Sequence, residues 1–283
     1  MAILDALCVC DQLDLAGWVD RGMDRRGDPR LSSGAVSEPQ ATPELGPISF
    51  SPGGEQWIEF GPPAARRRIG FHDYAELYAV PGLYERVFYE ELGMCSASEV
   101  VNLLAETLAA EALDPADLRV LDFGAGNGAG GEELRRIGVR SVVGLDLEPA
   151  AAVAARRDRP GVYDDFVVMD LGTATSDELA ALAGRGFNCL VAIAALGFGH
   201  VPAAVLERAL GLVPSGSLIA FPIADELLPD RAEAEARASG YPDLVENLLD
   251  GRLARSVAER PYRHRVTTTG EDHLALAVVA RTA

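Results

Sequence analysis

Apolar residues follow two different rhythms along this chain. From Arg119 onward the short runs RVLDF, SVVGLD, DFVVMD, FNCLVAIAAL and GSLIAFPI are apolar almost without a break. A strand reads this way when both of its faces are buried. The pieces between them, around EELRRIG, PAAAVAARRD, TSDELAALAG and PAAVLERALGLV, are helical in character. Strands separated by helices predict a parallel sheet with right-handed crossovers. The tail differs. After a helix around DLVENLLDGRL, the segments PYRHRVTTTG and EDHLALAVVARTA are two strand candidates joined by Thr-Gly-Glu-Asp, which predicts a terminal hairpin.

The first part of the chain reads otherwise. From Phe71 to Glu111 the pattern is helical. FHDYAELYAV breaks at Pro81 and LYERVFYEELGM follows it. SASEVVNLLAETLAAEAL then sets Val100, Leu103, Leu104 and Leu108 near helical spacing, with Ser98 or Ser96 as the cap and Asp114-Pro115 as the stop. ISFSPGGEQWIEF reads as two short extended pieces around a Pro-Gly-Gly turn. The triplet Arg66, Arg67 and Arg68 reads as solvated. RGMDRRGDPRLSSGAVSEPQATPELGP has the composition of a mobile linker, and residues 2–20 that of a short helix or two. The chain therefore divides into a partly flexible N-terminal extension, 1–65, a helical cap or lid, 66–115, and a core, 116–283. No internal repeat is present.

Composition narrows the partners. The 283 residues are 48% hydrophobic, enough for a sizeable core, and their formal net charge is −18. Such a surface repels phosphate backbones and anionic bilayers, so neither nucleic acid nor membrane is an expected partner. No apolar run approaches the roughly 20 residues of a membrane span. MAILDALCVCDQLDLAGWVD carries acids where a signal peptide needs bases, which predicts a cytoplasmic protein. The four cysteines, Cys8, Cys10, Cys95 and Cys189, lack the paired spacing of a zinc site, and no metal is expected.

The chemistry is concentrated in VLDFGAGNGAGGEELRRIGVRSVVGLDLEP, Val120 to Pro149. Gly124, Gly126 and Gly128 follow a strand and precede a helix. The first two let the backbone bend sharply and approach a ligand, and the third lets the helix start sit tightly on the sheet. The helix N-terminus offers unpaired N–H groups to a polar ligand. Asp146 closes the next strand, twenty residues after Gly126, the spacing at which a carboxylate accepts ribose hydroxyls. A dinucleotide fingerprint is G-x-G-x-x-G. Here the pattern is G-x-G-x-G, with Asp122 two residues before the first glycine, an arrangement poorly suited to a pyrophosphate. An NAD-dependent oxidoreductase is disfavoured on this ground.

The loop VLDFGAGNG, the acid of VVGLDLEP and the third strand DFVVMDL resemble class I S-adenosylmethionine-dependent methyltransferases, over about Arg66 to Ala283. The resemblance implies an α/β fold: a Rossmann-like, seven-stranded, mostly parallel sheet with a C-terminal antiparallel hairpin, plus an N-terminal helical lid. It implies S-adenosyl-L-methionine as cofactor. Asp122 would lie near the methionine part, with Gly124, Ala125 and Gly126 passing under it. Asp146 would take the ribose hydroxyls and Leu147 would flank the adenine. Asp170 would meet the adenine amino group beside Leu171, unless it simply caps a turn. Ala194, Ala195 and Leu196 would line the loop facing the sulfonium. Asn188 stands after Phe187 where many relatives have an aspartate, at a position that is generally structural. AALGFGHVP lacks the D/N-P-P-Y type loop of amide and base N-methyltransferases, which argues against DNA adenine and protein glutamine as acceptors.

Methyl transfer asks the protein mainly to align a nucleophile and accept a proton. The candidates are His200 after the fourth strand and the cluster of His72, Tyr74 and Tyr78. The two tyrosines are four residues apart and share a helix face; Tyr74 is assigned to cofactor contact, and Tyr78, on the lid, to catalysis with His200 and His72. Each of these has an ordinary alternative as packing or solvated surface. Tyr84, Phe88 and Tyr89 could wall an acceptor, and Asp225 and Glu226 after the fifth strand are a second place to seek one. His264 and His273, in the hairpin, read as structural. The expected function is methyl transfer to a small-molecule acceptor, with O-, N- and C-methylation and a homodimer left open. The alternative is a catalytically inactive cofactor-binding partner or regulatory protein on the same fold.

Overall fold

The computed structural model describes residues 45–193 and 201–283; readings that fall on 1–44 and on 194–200 lie outside the described residues. The first elements are three antiparallel strands, β1 (Ser49–Phe50), β2 (Trp57–Phe60) and β3 (Arg67–Gly70), in the order β1-β2-β3. Ile58 pairs with Ile69 across β2 and β3, and both point into a small core with Phe60, Phe71, Leu77, Leu83, Val87 and Phe88. The sheet straddles the expected boundary at 65/66: Arg67–Gly70 is strand, and regular helix begins only at α1 (Tyr74–Ala79). Ile69 is buried against Ile58 on the inner face; Arg68 points to the other face with Glu59, and Arg67, on the inner face at the strand's start, lays its guanidinium 5.3 Å from the Phe60 ring centroid and stays exposed. The arginine triplet is exposed as expected, but it is paired. Arg66 and Arg68 share Glu59 at 2.8 and 3.2 Å, and the Arg68 guanidinium lies 3.9 Å from the Trp57 ring centroid.

Asp73 caps α1 by accepting the Glu76 N–H at 3.2 Å. A π-helical stretch, Glu85–Glu91, follows Pro81, and then α2 (Ser96–Ala110). The expected Ser96 or Ser98 cap of α2 does not form. Cys95 is the N-cap residue, Ser98 Oγ donates to its carbonyl at 2.9 Å, and Ser96 is drawn to partners on a distant strand.

The main sheet comprises β4 (Arg119–Phe123), β5 (Ser141–Asp146), β6 (Asp165–Val168), β7 (Cys189–Val191), β8 (Leu218–Ala224), β9 (Ala254–Val266) and β10 (Asp272–Thr282). Its order is β6-β5-β4-β7-β8-β10-β9. The first five are parallel, and β10 lies antiparallel between β8 and β9. The helices between them are α3 (Ala129–Arg136), α4 (Pro149–Asp158), α5 (Ser176–Ala183), α6 (Ala203–Leu210), α7 (Ala234–Ala238) and α8 (Tyr241–Leu249). Apolar residues of α2 and α3 cover one face, packing on Val120, Val142, Val191, Ala220 and Val279. Those of α5, α6 and α8 cover the other, on Leu121, Leu145, Leu190, Phe221 and Val278. Burial on both faces is why these strands read as continuous apolar runs.

Asn188 has the structural place expected of it. Its Oδ1 accepts the Arg119 N–H at 2.7 Å and its Nδ2 donates to the Asp117 carbonyl at 3.1 Å, tying β7 to the start of β4. The hairpin departs from expectation in one respect: β9 begins at Ala254 rather than near Pro261. It is an edge strand, where charge and proline are tolerated on the open side, and its polar composition hides it from a hydrophobicity reading. No described helix is long and apolar enough to cross a membrane.

Candidate functional site

The glycine loop leaves β4 at the carboxyl edge of the sheet. It does so where the strand order turns, with β5 on one side of β4 and β7 on the other, the position at which open α/β sheets form a ligand crevice. Gly124, Gly126 and Gly128 have φ of +73°, +52° and +92°, left-handed values that other residues rarely adopt. The N–H groups of Gly124 and Ala125 both donate to the Leu145 carbonyl, at 2.8 and 3.1 Å, which pins the loop to the end of β5. Asp146 is the last residue of β5. Its Oδ2 accepts the Gly126 N–H at 2.8 Å and its Oδ1 the Glu148 N–H at 2.9 Å. Burial raises the Asp146 pKa, and these backbone donors hold part of the rise in check.

Asp122 lies under the loop. It is 1% exposed, beneath α3, with Oδ2 accepting the Tyr163 hydroxyl at 2.7 Å. Burial pushes its pKa up to about 7, against the hydrogen bond from Tyr163 and with the help of Asp146 nearby. It supports the loop from below rather than lining an open surface. Tyr163 was not singled out in the sequence. The signal for it is the double glycine at the start of α3, since a Cβ on Gly131 would stand 2.6 Å from the Tyr163 ring.

The segment before α2 covers the loop. Tyr78 is 7% exposed and packs on Ala151 and Ala154 of α4; its hydroxyl would lie 2.6 Å from a Cβ on Gly126. Tyr74, Tyr78, Tyr84 and Phe88 form an aromatic column, with successive centroids 6.1, 4.9 and 4.7 Å apart. Burial raises the pKa of Tyr74 to about 12 and those of Tyr78 and Tyr84 further, so all three hydroxyls stay protonated. A polar latch reinforces the contact. Asn127 Nδ2 donates to Glu85 Oε1 at 2.8 Å, Glu85 pairs with Arg159, and Arg159 pairs with Glu132 at 2.8 Å and donates to the Asn127 carbonyl at 3.2 Å. Arg157 Nη1 donates to the Tyr78 carbonyl at 3.0 Å. Glu85, Arg157 and Arg159 were also missed, because nothing local distinguishes them from other surface charges.

The remaining candidates scatter. Leu147 is 59% exposed beside Asp146. Asp170 caps a turn: its Oδ1 accepts the Gly172 N–H at 2.7 Å and its Oδ2 the Thr173 hydroxyl at 2.9 Å. Leu171 is buried in the core. His72 sits in the turn before α1 with its ring 5.0 Å from Phe71. Its pKa is lowered by burial, with Glu55 and Arg265, not the loop carboxylates, as its charged neighbours. Ala194, Ala195, Leu196 and His200 lie outside the described residues. Among the described residues no group of three or more His, Cys, Asp or Glu could hold a metal ion.

The described domain is thus a Rossmann-like α/β sheet, mostly parallel, with a glycine loop and a strand-end carboxylate at its switch point. No protein-family model and no curated protein matches the chain. Solved structures do. One is an S-adenosylmethionine-dependent methyltransferase from Anabaena variabilis, 15% identical, covering 76% of this chain and 96% of its own, with a TM-score of 0.49. Magnesium protoporphyrin IX methyltransferase from Synechocystis, solved with S-adenosylmethionine bound, is 15% identical and covers 74% and 95%, with a TM-score of 0.47. The N-methyltransferase NodS from Bradyrhizobium japonicum is 14% identical and covers 65% and 85%, with a TM-score of 0.45.

Proposed function

We propose that the chain binds S-adenosyl-L-methionine on the loop between β4 and α3 and transfers its methyl group to a small-molecule acceptor. The observation that carries this reading is the joining of Asp146 to Gly126: the loop that must pass under a ligand and the acid that takes a ribose are one hydrogen-bonded unit. The residues present fit the group. The three left-handed glycines carry no side chains of their own, so a ligand meets bare backbone at Gly126 once Tyr78, which covers it, moves aside; α3 opens directly behind the loop, and an apolar Leu147 stands exposed beside the acid. When bound, the cofactor supplies a methyl group on a positively charged sulfur. Asp146 would hold the ribose hydroxyls and Leu147 the adenine face. Tyr74, Tyr78 and Tyr84, all protonated, close over the loop and exclude water from it. An anionic protein surface suits a cationic sulfonium.

The alternative, a non-catalytic protein that binds the same cofactor, meets the same condition as the enzyme. Both oxygens of Asp146 already accept backbone N–H groups and Tyr78 lies directly on Gly126, so binding requires the aromatic segment to shift. Calorimetry with adenosylhomocysteine, followed by transfer of labelled methyl to a panel of phenols, amines and carboxylates, separates the readings. Binding with turnover supports the enzyme and binding without turnover the regulatory protein. No binding removes both.

A further inference from the structure

A second polar assembly occupies the carboxyl edge of the sheet, away from the glycine loop. Ala275 of β10 pairs with Ala224, the last residue of β8, so His273, two residues earlier, stands past the end of β8. Its Nε2 lies 3.2 and 3.3 Å from the two carboxylate oxygens of Glu226, in the turn that follows β8. The His264 ring of β9 packs edge-on against His273, with centroids 5.2 Å apart at 87°. His264 Nδ1 is bonded to Ser96 Oγ, which also meets the Tyr262 hydroxyl at 2.6 Å, and Ser96 is wholly buried. Burial, with His273 and Arg265 nearby and Glu226 opposing, lowers the His264 pKa to about 3 and keeps that ring neutral. The His273 ring is therefore held on two sides, by a carboxylate and by a fixed aromatic neighbour.

In the neutral ring, a carboxylate facing Nε2 calls for the proton on that nitrogen, which leaves Nδ1 as an acceptor. Among the described residues Nδ1 is buried and has no hydrogen-bond partner, and neither has the buried hydroxyl of Thr268 in the same hairpin. Buried polar atoms are seldom left unpaired, because nothing then offsets their lost hydration. Both atoms belong to one short hairpin, and the acceptor capacity of His273 Nδ1 is left for a polar group to take up. The group is enclosed, so it is a neutral donor rather than an ion, whose burial would cost far more. Its distance from the chemistry follows from the sheet. β10 is the third strand from β4, and strands lie about 4.8 Å apart, so His273 stands on the order of 14 Å from the strand that carries the glycine loop.

Resting on the methyltransferase reading above, we propose that His273, oriented by Glu226 and backed by His264, recognises the acceptor: its Nδ1 takes a hydrogen bond from a hydroxyl at the end of an extended acceptor remote from the methylated atom. The full-length chain labelled with nitrogen-15 in histidine tests this by NMR, with His273→Phe to assign the signal. His273 should carry its proton on Nε2. Phenol should shift the Nδ1 resonance saturably, whereas anisole, the same ring without the donor, should not. Glu226→Leu should weaken the phenol response about tenfold, the scale of one hydrogen bond. A proton on Nδ1, a His273 signal indifferent to phenol, or equal shifts with anisole would overturn the proposal. Calorimetry with adenosylhomocysteine on the same samples keeps the two readings apart. Failure of wild type to bind it would end the methyltransferase reading, while the phenol titration decides the hairpin site independently.

Discussion

Asp146 and Glu226 are two acids at the same edge of one sheet, and they are held by opposite kinds of partner. Asp146 ends β5 and accepts the N–H groups of Gly126 and Glu148, residues twenty positions before it and two after. Its surroundings are one strand-loop-helix-strand unit. Glu226 follows β8 and meets His273, 47 positions away, which in turn leans on His264 and, through it, on Ser96, 168 positions from His264. The first acid belongs to a motif, whose geometry is written in consecutive residues. The second belongs to an assembly that exists only when the hairpin, β8 and the start of α2 are brought together. Motifs of the first kind are read by pattern; assemblies of the second kind are read only from packing.

The comparison is most sharply tested at Asp146. On the proposed reading, Asp146→Ala should weaken adenosylhomocysteine binding a hundredfold or more, because two charge-assisted hydrogen bonds to the ribose, about 1.5–3 kcal/mol each, would be lost. Glu226→Leu should leave that affinity unchanged. Calorimetry on the two variants decides it, and an unaltered dissociation constant for Asp146→Ala with the fold intact removes the adenosine assignment.

Asp122, two strand positions from the loop, gives the next largest effect, on stability rather than binding. Its folded pKa is raised from 3.8 to about 7, so the folded protein holds the proton more tightly than the unfolded chain. The stability it contributes is full below about pH 4 and is lost as the pH rises through 7. Wild type should therefore lose up to about 4 kcal/mol over this window relative to Asp122→Asn. Urea midpoints of both proteins at pH 5 and pH 8 should show about 2.5 kcal/mol of it, the part that falls between these two pH values; parallel curves would show that Asp122 is ionised in the folded state at all these pH values.

Glu85→Ala cuts the latch between the aromatic segment and Asn127 and should cost on the order of 2 kcal/mol of local closure. Hydrogen exchange across residues 70–92 should quicken in the variant and slow in wild type on adding adenosylhomocysteine. Exchange indifferent to both would make the segment scaffold, not lid. The smallest effect belongs to Ser96→Ala, about 1 kcal/mol, seen as a few degrees in Tm with adenosylhomocysteine binding unaltered.

Much of the fold was legible in the sequence by itself. The inner parallel strands β4, β5, β7 and β8 stand out because burial on both faces forces unbroken apolar runs, while β6, at the sheet edge, is only partly buried; α4 appears as Pro149–Asp158, matching PAAAVAARRD residue for residue. The loop and its acid were legible for the same reason: left-handed glycines and a strand-end carboxylate lie within one short stretch, and backbone geometry restricts what can stand there. Other features belonged to tertiary structure. Ser96 abandons its helix cap because β9 brings Tyr262 and His264 to its hydroxyl. β3 and the first half of β9 are polar strands, formed because a neighbour supplies their hydrogen bonds rather than because their own side chains demand burial. Tyr163, Glu85, Arg159 and His273 carry no local mark. The chemistry of a polar side chain depends on the charge, donor or apolar wall placed against it, and only the folded arrangement of distant segments sets that neighbour.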